Sequence, residues 1–239
     1  MMNPPDHTSS DGPIVSAFGE PLLVEDVLLL LFQPDSGSIA GENTLFYVLG
    51  GAVLGDLALA ERVEVRRAGP LTRHVHALSG EPVADDLLAS AWAYILEKPR
   101  GIQTVLAAIG PALRNPVIDR LVERGDLTRE KGKAFGLFPT EKLALGSDRR
   151  ASLVAQIRSA LIDGDTPAPR IAAAIALISA SKTLPQFHGE IPWSSDVYTR
   201  SKAIERGDWG AAAAADAVTR TMIAVTGNAA IAATVLPRV

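Results

Sequence analysis

The alternation of apolar and polar positions divides the chain into helices separated by short turns. The densest apolar stretch is EDVLLLLF, residues 25–32. After its acidic start it is apolar on nearly every side, which predicts a helix at the centre of a bundle rather than on its surface. Glu25 and Asp26 stand where a helix N-terminus favours negative charge. The loop PDSGSIAGEN follows, and Asn43 is expected to cap a second helix reaching about Arg62. Gly51 and Gly55 form a small-xxx-small pair within it. With Asp56 and Glu61 nearby, that pair predicts close packing of soluble helices rather than association inside a bilayer.

Strict alternation appears at Val63–Arg66 and His74–Leu78, around a Gly-Pro turn, and predicts a short hairpin. Helical spacing returns at Ala84–Glu97, Ile102–Leu113 and Pro116–Arg124, with Pro99 and Gly125 as stops. Further helices are expected at Asp148–Ile162, Ala168–Ser181 and Ser195–Arg206, and Asp208 is read as the cap of a last one. Gly227 and Asn228 are expected to break the apolar run Thr221–Pro237, which is shorter than the roughly 18 to 20 residues that span a bilayer. The fold class that results is mainly α, with one or two short β-hairpins. The expected division is a polar tail over residues 1–19, one domain over 20–226 and an apolar tail over 227–239. The N-terminal segment has neither the basic nor the apolar region of a secretory signal.

Composition narrows the function. The chain has 239 residues, 47% of them hydrophobic and 21% charged, enough to bury a sizeable core. A formal net charge of −4 argues against nucleic acid as a partner. With no cysteine, thiolate metal sites and disulfides are excluded, and a cytoplasmic setting is expected.

Catalytic patterns are weak. Gly132-Lys133 resembles the end of a phosphate-binding loop, but the glycine required five residues earlier is Leu127. Neither a GxSxG elbow nor an HExxH pair occurs. His74 and His76 would share a strand face without a third metal ligand, and Asp85–Asp86 and Asp163/Asp165 read as capping and turn carboxylates. No catalysis, cofactor or metal is therefore expected.

The stretch KAFGLFPTEK, residues 133–142, is different. Phe135, Leu137 and Phe138 sit among Gly132, Gly136 and Pro139, with Lys133 and Lys142 at the ends. Between residues 114 and 142 the chain is locally slightly basic, with Arg114, Arg120, Arg124, Arg129, Lys131, Lys133 and Lys142 against Asp119, Glu123, Asp126, Glu130 and Glu141. Basic side chains contribute about 1 kcal/mol each at an anionic lipid surface. Two readings stand: a hairpin packed on its own core, or an apolar tip held outward, with Pro139 discouraging further strand pairing.

EDVLLLLF (25–32), GGAVLGDLALAERV (50–63) and DRLVERGDLTREKGKAFGLFPTEKLAL (119–145), in that order and spacing, resemble the Golgi phosphoprotein 3 family. AIERGDW (203–209) is similar to its bacterial branch. The resemblance implies a helical bundle wrapped by amphipathic helices, without known catalysis. It implies a peripheral membrane protein whose partners are the membrane surface, an anionic phospholipid or phosphoinositide headgroup such as phosphatidylinositol 4-phosphate, and further copies of itself. The loop matching residues 130–141 is in that family a projecting hairpin that aids membrane contact and oligomerisation. Lys133, Phe135, Leu137, Phe138 and Lys142 would then form the contact surface. Of the family's headgroup-pocket positions, the Trp falls on Gly41 and one Arg on Gly50. Two further Arg fall on Pro111 and Arg114, so Arg114 alone is matched. The alternative is an adaptor module whose hairpin mediates oligomerisation or client docking without lipid.

Overall fold

A helix without a polar face has to be enclosed on every side, and α1 (Leu23–Leu31) is: all of its residues are buried, Glu25 and Asp26 included. The structure, a computed structural model, describes residues 19–69, 72–134, 138–209 and 216–235. α1 runs into a two-residue strand, β1 (Phe32–Gln33), which pairs antiparallel with β2 (Ser38–Ile39) where a plain loop was expected. A 3-10 turn, Glu42–Thr44, then leads into α2 (Leu45–Leu59). Asn43 is not the cap of α2. It lies inside that turn, and the cap position is Thr44, whose hydroxyl instead donates to the Gly41 carbonyl at 3.2 Å.

α2 packs along α1, which puts the helix expected at the centre of the bundle against the one carrying Gly51 and Gly55. Its glycines are the reason the contact is close. A Cβ on Gly55 would lie 2.7 Å from Leu23 of α1, and one on Gly51 would lie 2.8 Å from both Leu177 and Val225. Those two side chains belong to α7 (Pro169–Ala180) and α9 (Asp216–Val235), which complete the enclosure of α2.

The expected hairpin is present as β3 (Val63–Arg67) and β4 (Arg73–Ala77), and β5 (Arg100–Gly101) adds a third strand beside β4. α3 (Asp86–Leu96) begins at Asp85, whose side chain accepts the Leu87 amide at 3.0 Å. α4 (Ile102–Ile109) ends earlier than the spacing suggested. At Gly110–Ala112 the chain tightens into a 3-10 turn at Pro111, and α5 (Arg114–Glu123) starts anew. Proline has no amide to continue the α-helical ladder. Gly110 also lies directly on the Phe46 carbonyl, where a Cβ would overlap.

β6 (Leu127–Ala134) and β7 (Phe138–Leu145) pair antiparallel from Leu127↔Leu145 to Ala134↔Phe138. Contrary to expectation, pairing continues through Pro139, opposite Lys133. Both strands of a two-stranded ladder are edges, where proline is tolerated. α6 (Arg149–Arg158) continues into a π-helical turn, Ser159–Asp163, and α8 (Ser195–Glu205) is capped by the Ser194 hydroxyl. The described part of α9 begins at Asp216 rather than near Asp208, residues 210–215 lying outside the described set. The break foreseen at Gly227 and Asn228 does not occur, because α9 passes through both. The result is a mainly α structure with small antiparallel ladders and one hydrophobic core reaching from Leu23 to Val225.

Candidate anion and membrane-contact site

Arg114 is the first residue of α5, placed there by the turn that Pro111 starts. Its side chain is 44% exposed and forms an ion pair with Glu42, which is 48% exposed and 72 residues away in sequence. Arg114 Nη2 donates to Glu42 Oε1 at 2.9 Å, Nε reaches both carboxylate oxygens at 3.3 Å, and Nη1 donates to Asn115 Oδ1 at 3.3 Å. Every nitrogen of the guanidinium thus has an acceptor from the chain itself.

The other matched pocket positions cannot contribute a cation. Gly41 has φ +71°, and a Cβ there would fall 2.5 Å from Cγ2 of Thr183. A side chain at this position, let alone an indole, needs a different turn. Gly50 is buried against α4, where a Cβ would sit 3.3 Å from Leu106. Close helix packing leaves no space for a side chain at that point. An apolar groove of about 510 Å³ opens between α3 and the α4–α5 corner, and Leu113 and Pro116, the residues around Arg114, belong to its lining.

The second set of expected residues lies on the β6–β7 hairpin. Phe135 and Leu137 fall outside the described residues, and Lys133 and Phe138 are described as members of the ladder. Lys142 is exposed, and its stem runs over Gly37 of the β1–β2 turn, where a Cβ would come within 3.0 Å of it. Gly37 has φ +70°, so a residue without a side chain serves both the turn and the close approach.

The base of the hairpin holds what the sequence did not announce. Glu25 and Asp26, read as helix-terminus charges, sit in a buried ionic cluster. Glu25 lies 2.6 Å from Arg124 Nε, 3.7 Å from Arg120 and 3.8 Å from Arg149. Asp26 pairs with Arg149 and Arg170, Arg149 also pairs with Asp126, and Arg120 meets Asp85 at 2.5 Å. Asp126 immediately precedes β6, and its second oxygen accepts the Ser147 hydroxyl at 2.6 Å just after β7. Both ends of the hairpin are therefore fastened to α1.

Burial raises the pKa of Glu25, and Arg124, Arg149 and Arg120 pull against it. Burial alone would lower Arg149, but the carboxylates of Asp26 and Asp126 outweigh it and hold its pKa above the ordinary value. Arg120 and Arg124, counted from the sequence as part of a basic surface, are thus turned inward, and Arg129 is paired with Asp119. The tally of charges along the chain overstated the free positive surface, because it could not see which arginines had partners across the fold. His74 and His76 flank the buried Val75 on β4, and among the described residues there is no group of three or more His, Asp or Glu that could hold a metal.

A helical bundle with a long two-stranded hairpin, and no described helix long and apolar enough to cross a membrane, defines the class. The sequence profile of the Golgi phosphoprotein 3 (GPP34) family matches residues 23–221, and the chain belongs to that family. No curated protein matches it.

Proposed function

We propose that this is a peripheral membrane protein that binds anionic lipid headgroups without catalysis, from the cytoplasm. Phosphatidylinositol 4-phosphate is among the candidate headgroups, Arg114 is the anion contact, and Lys133, Phe135, Leu137, Phe138 and Lys142 on the hairpin form the membrane-contact or self-association surface. The observation that carries the reading is membership of the family over residues 23–221, and an exposed arginine at the position that the resemblance aligns with one of the family's pocket arginines supports it. The apolar groove next to Arg114 is compatible with a lipid, since ligand sites join apolar walls to a few polar groups. Phosphate recognition usually gathers several cationic donors, so a site with one arginine implies modest, reversible binding that depends on the hairpin as well.

One observation favours a second reading. Arg114 already has a carboxylate partner, and a satisfied arginine needs no phosphate. In that reading the hairpin docks on protein or on another copy of the chain, and lipid plays no part.

Vesicle flotation of Arg114→Ala and of the double variant Phe135→Ser/Leu137→Ser separates the two. Both variants are expected to keep the melting temperature nearly unchanged and to lose flotation on anionic vesicles. Retained flotation by both, or a large loss of stability in the double variant, contradicts the assignment. Two buried apolar side chains would cost about 2 to 5 kcal/mol each if the tip were core.

A further inference from the structure

We infer that Glu42 is a built-in competitor at the Arg114 site, a carboxylate that any incoming anion must displace and that therefore weakens headgroup binding there. The inference rests on the lipid-binding reading above and concerns the affinity of that site. Glu42 presents both carboxylate oxygens to the guanidinium of Arg114, as an anionic ligand would. Its backbone is fixed in place. Gly41, in the left-handed region, packs against Thr183 with no room for a side chain, and the Thr44 amide and hydroxyl both bond to the Gly41 carbonyl, at 2.9 and 3.2 Å. The two side chains, by contrast, are each nearly half exposed, so the pair can open without unfolding anything around it.

Exchange at such a site is a trade of one anion for another. A phosphodiester headgroup carries one negative charge, the same as the carboxylate it would replace, and gains little. A phosphomonoester carries about −1.5 to −2 at neutral pH and three acceptor oxygens, so it gains on exchange. Glu42 also remains close after displacement and repels a dianion more strongly than a monoanion. The intact pair thus lowers the affinity for every anion by the same displacement cost, and the residual repulsion weighs more on the dianion.

The test titrates the full chain with phosphatidylcholine vesicles containing either phosphatidylglycerol or phosphatidic acid, and compares wild type, Glu42→Gln, Arg114→Ala and the double variant. Glu42→Gln is expected to tighten binding about two- to fivefold, the range an exposed ion pair contributes. The gain should be at least as large for phosphatidic acid as for phosphatidylglycerol, since the same competitor is removed for both and the dianion is relieved of more repulsion, and it should vanish in the Arg114→Ala background. Thermal melting of each variant confirms the fold, which an exposed Glu→Gln change leaves intact.

Binding of wild type with no gain in Glu42→Gln overturns the inference alone, as does a gain that survives Arg114→Ala, since that is only a change of net charge. A smaller gain for phosphatidic acid than for phosphatidylglycerol overturns the electrostatic account of the competition. If neither wild type nor Glu42→Gln binds any anionic vesicle, the membrane reading fails and the inference with it.

Discussion

Asp56 shows how one residue can serve the fold and strain it at once. It sits on α2, 5% exposed, and accepts the first two amides of α1, Leu23 N at 2.7 Å and Val24 N at 3.0 Å. Those amides begin a helix and have no partner within it. A carboxylate from the neighbouring helix supplies what the local sequence lacks, since Leu22, at the cap position, offers no acceptor side chain. Burial nevertheless pushes the pKa of Asp56 from 3.8 up to about 7, outweighing the two amides and Arg170, while Asp26 adds to the rise. The folded state therefore binds this proton more tightly than the unfolded chain. Its contribution is present at acidic pH and is lost as pH rises from about 4 to about 7. Asp56→Asn imitates the protonated form. Its stability relative to wild type, measured by urea unfolding across that range, should improve with pH by an amount on the order of a few kcal/mol and level off above pH 7. A pH-independent difference would mean that Asp56 is charged throughout.

Among elements, the β6–β7 hairpin is defined by its fastening as much as by its pairing. Arg149 at the start of α6 joins Asp26 of α1 to Asp126 at the hairpin base, and Arg170 of α7 takes the other oxygen of Asp26. Removing one partner from a buried ionic group costs more than the pair contributes, because charge is left without compensation. Arg149→Ala is therefore expected to destabilise the protein by about 3 kcal/mol in urea unfolding. Arg129→Ala, which removes an exposed pair with Asp119, should cost no more than about 1 kcal/mol. Similar losses for both would show that the cluster is solvated and not a clamp.

The same elements mark where sequence reading works. EDVLLLLF announces a buried helix because its apolar pattern leaves no polar face, and the alternation at 63–66 and 74–78 announces a hairpin. The two-residue strands β1, β2 and β5 leave no periodicity to detect, since each exists only by pairing with a distant or turned-back segment. The roles of Glu25 and Asp26 were half legible. Position explained their charge, but the arginines opposite them come from α5, α6 and α7, and no local rule connects those stretches.

At the scale of the whole molecule, the central helices of the bundle close on one another at glycine contacts, and the hairpin is anchored at both ends. The molecule's overall class was readable from spacing, and its family from a few ordered phrases later matched over residues 23–221. The candidate site was less readable. Arg114 could be aligned, yet its Glu42 partner could not, because a contact across 72 residues leaves no trace in one sequence. Glycine at 41 and 50 looked like missing ligands, whereas the fold uses both to close space.

The membrane binding we propose is electrostatic and shallow, which makes it both lipid- and salt-dependent. The most direct measurement is flotation of the unmodified full chain on neutral phosphatidylcholine vesicles and on the same vesicles containing phosphatidylinositol 4-phosphate or phosphatidylglycerol, at low and high salt. The expected result is flotation with anionic vesicles only, strongest with the phosphomonoester and reduced by salt. A chain that stays at the bottom of the gradient with every vesicle, or floats equally well on neutral ones, contradicts anionic-lipid binding.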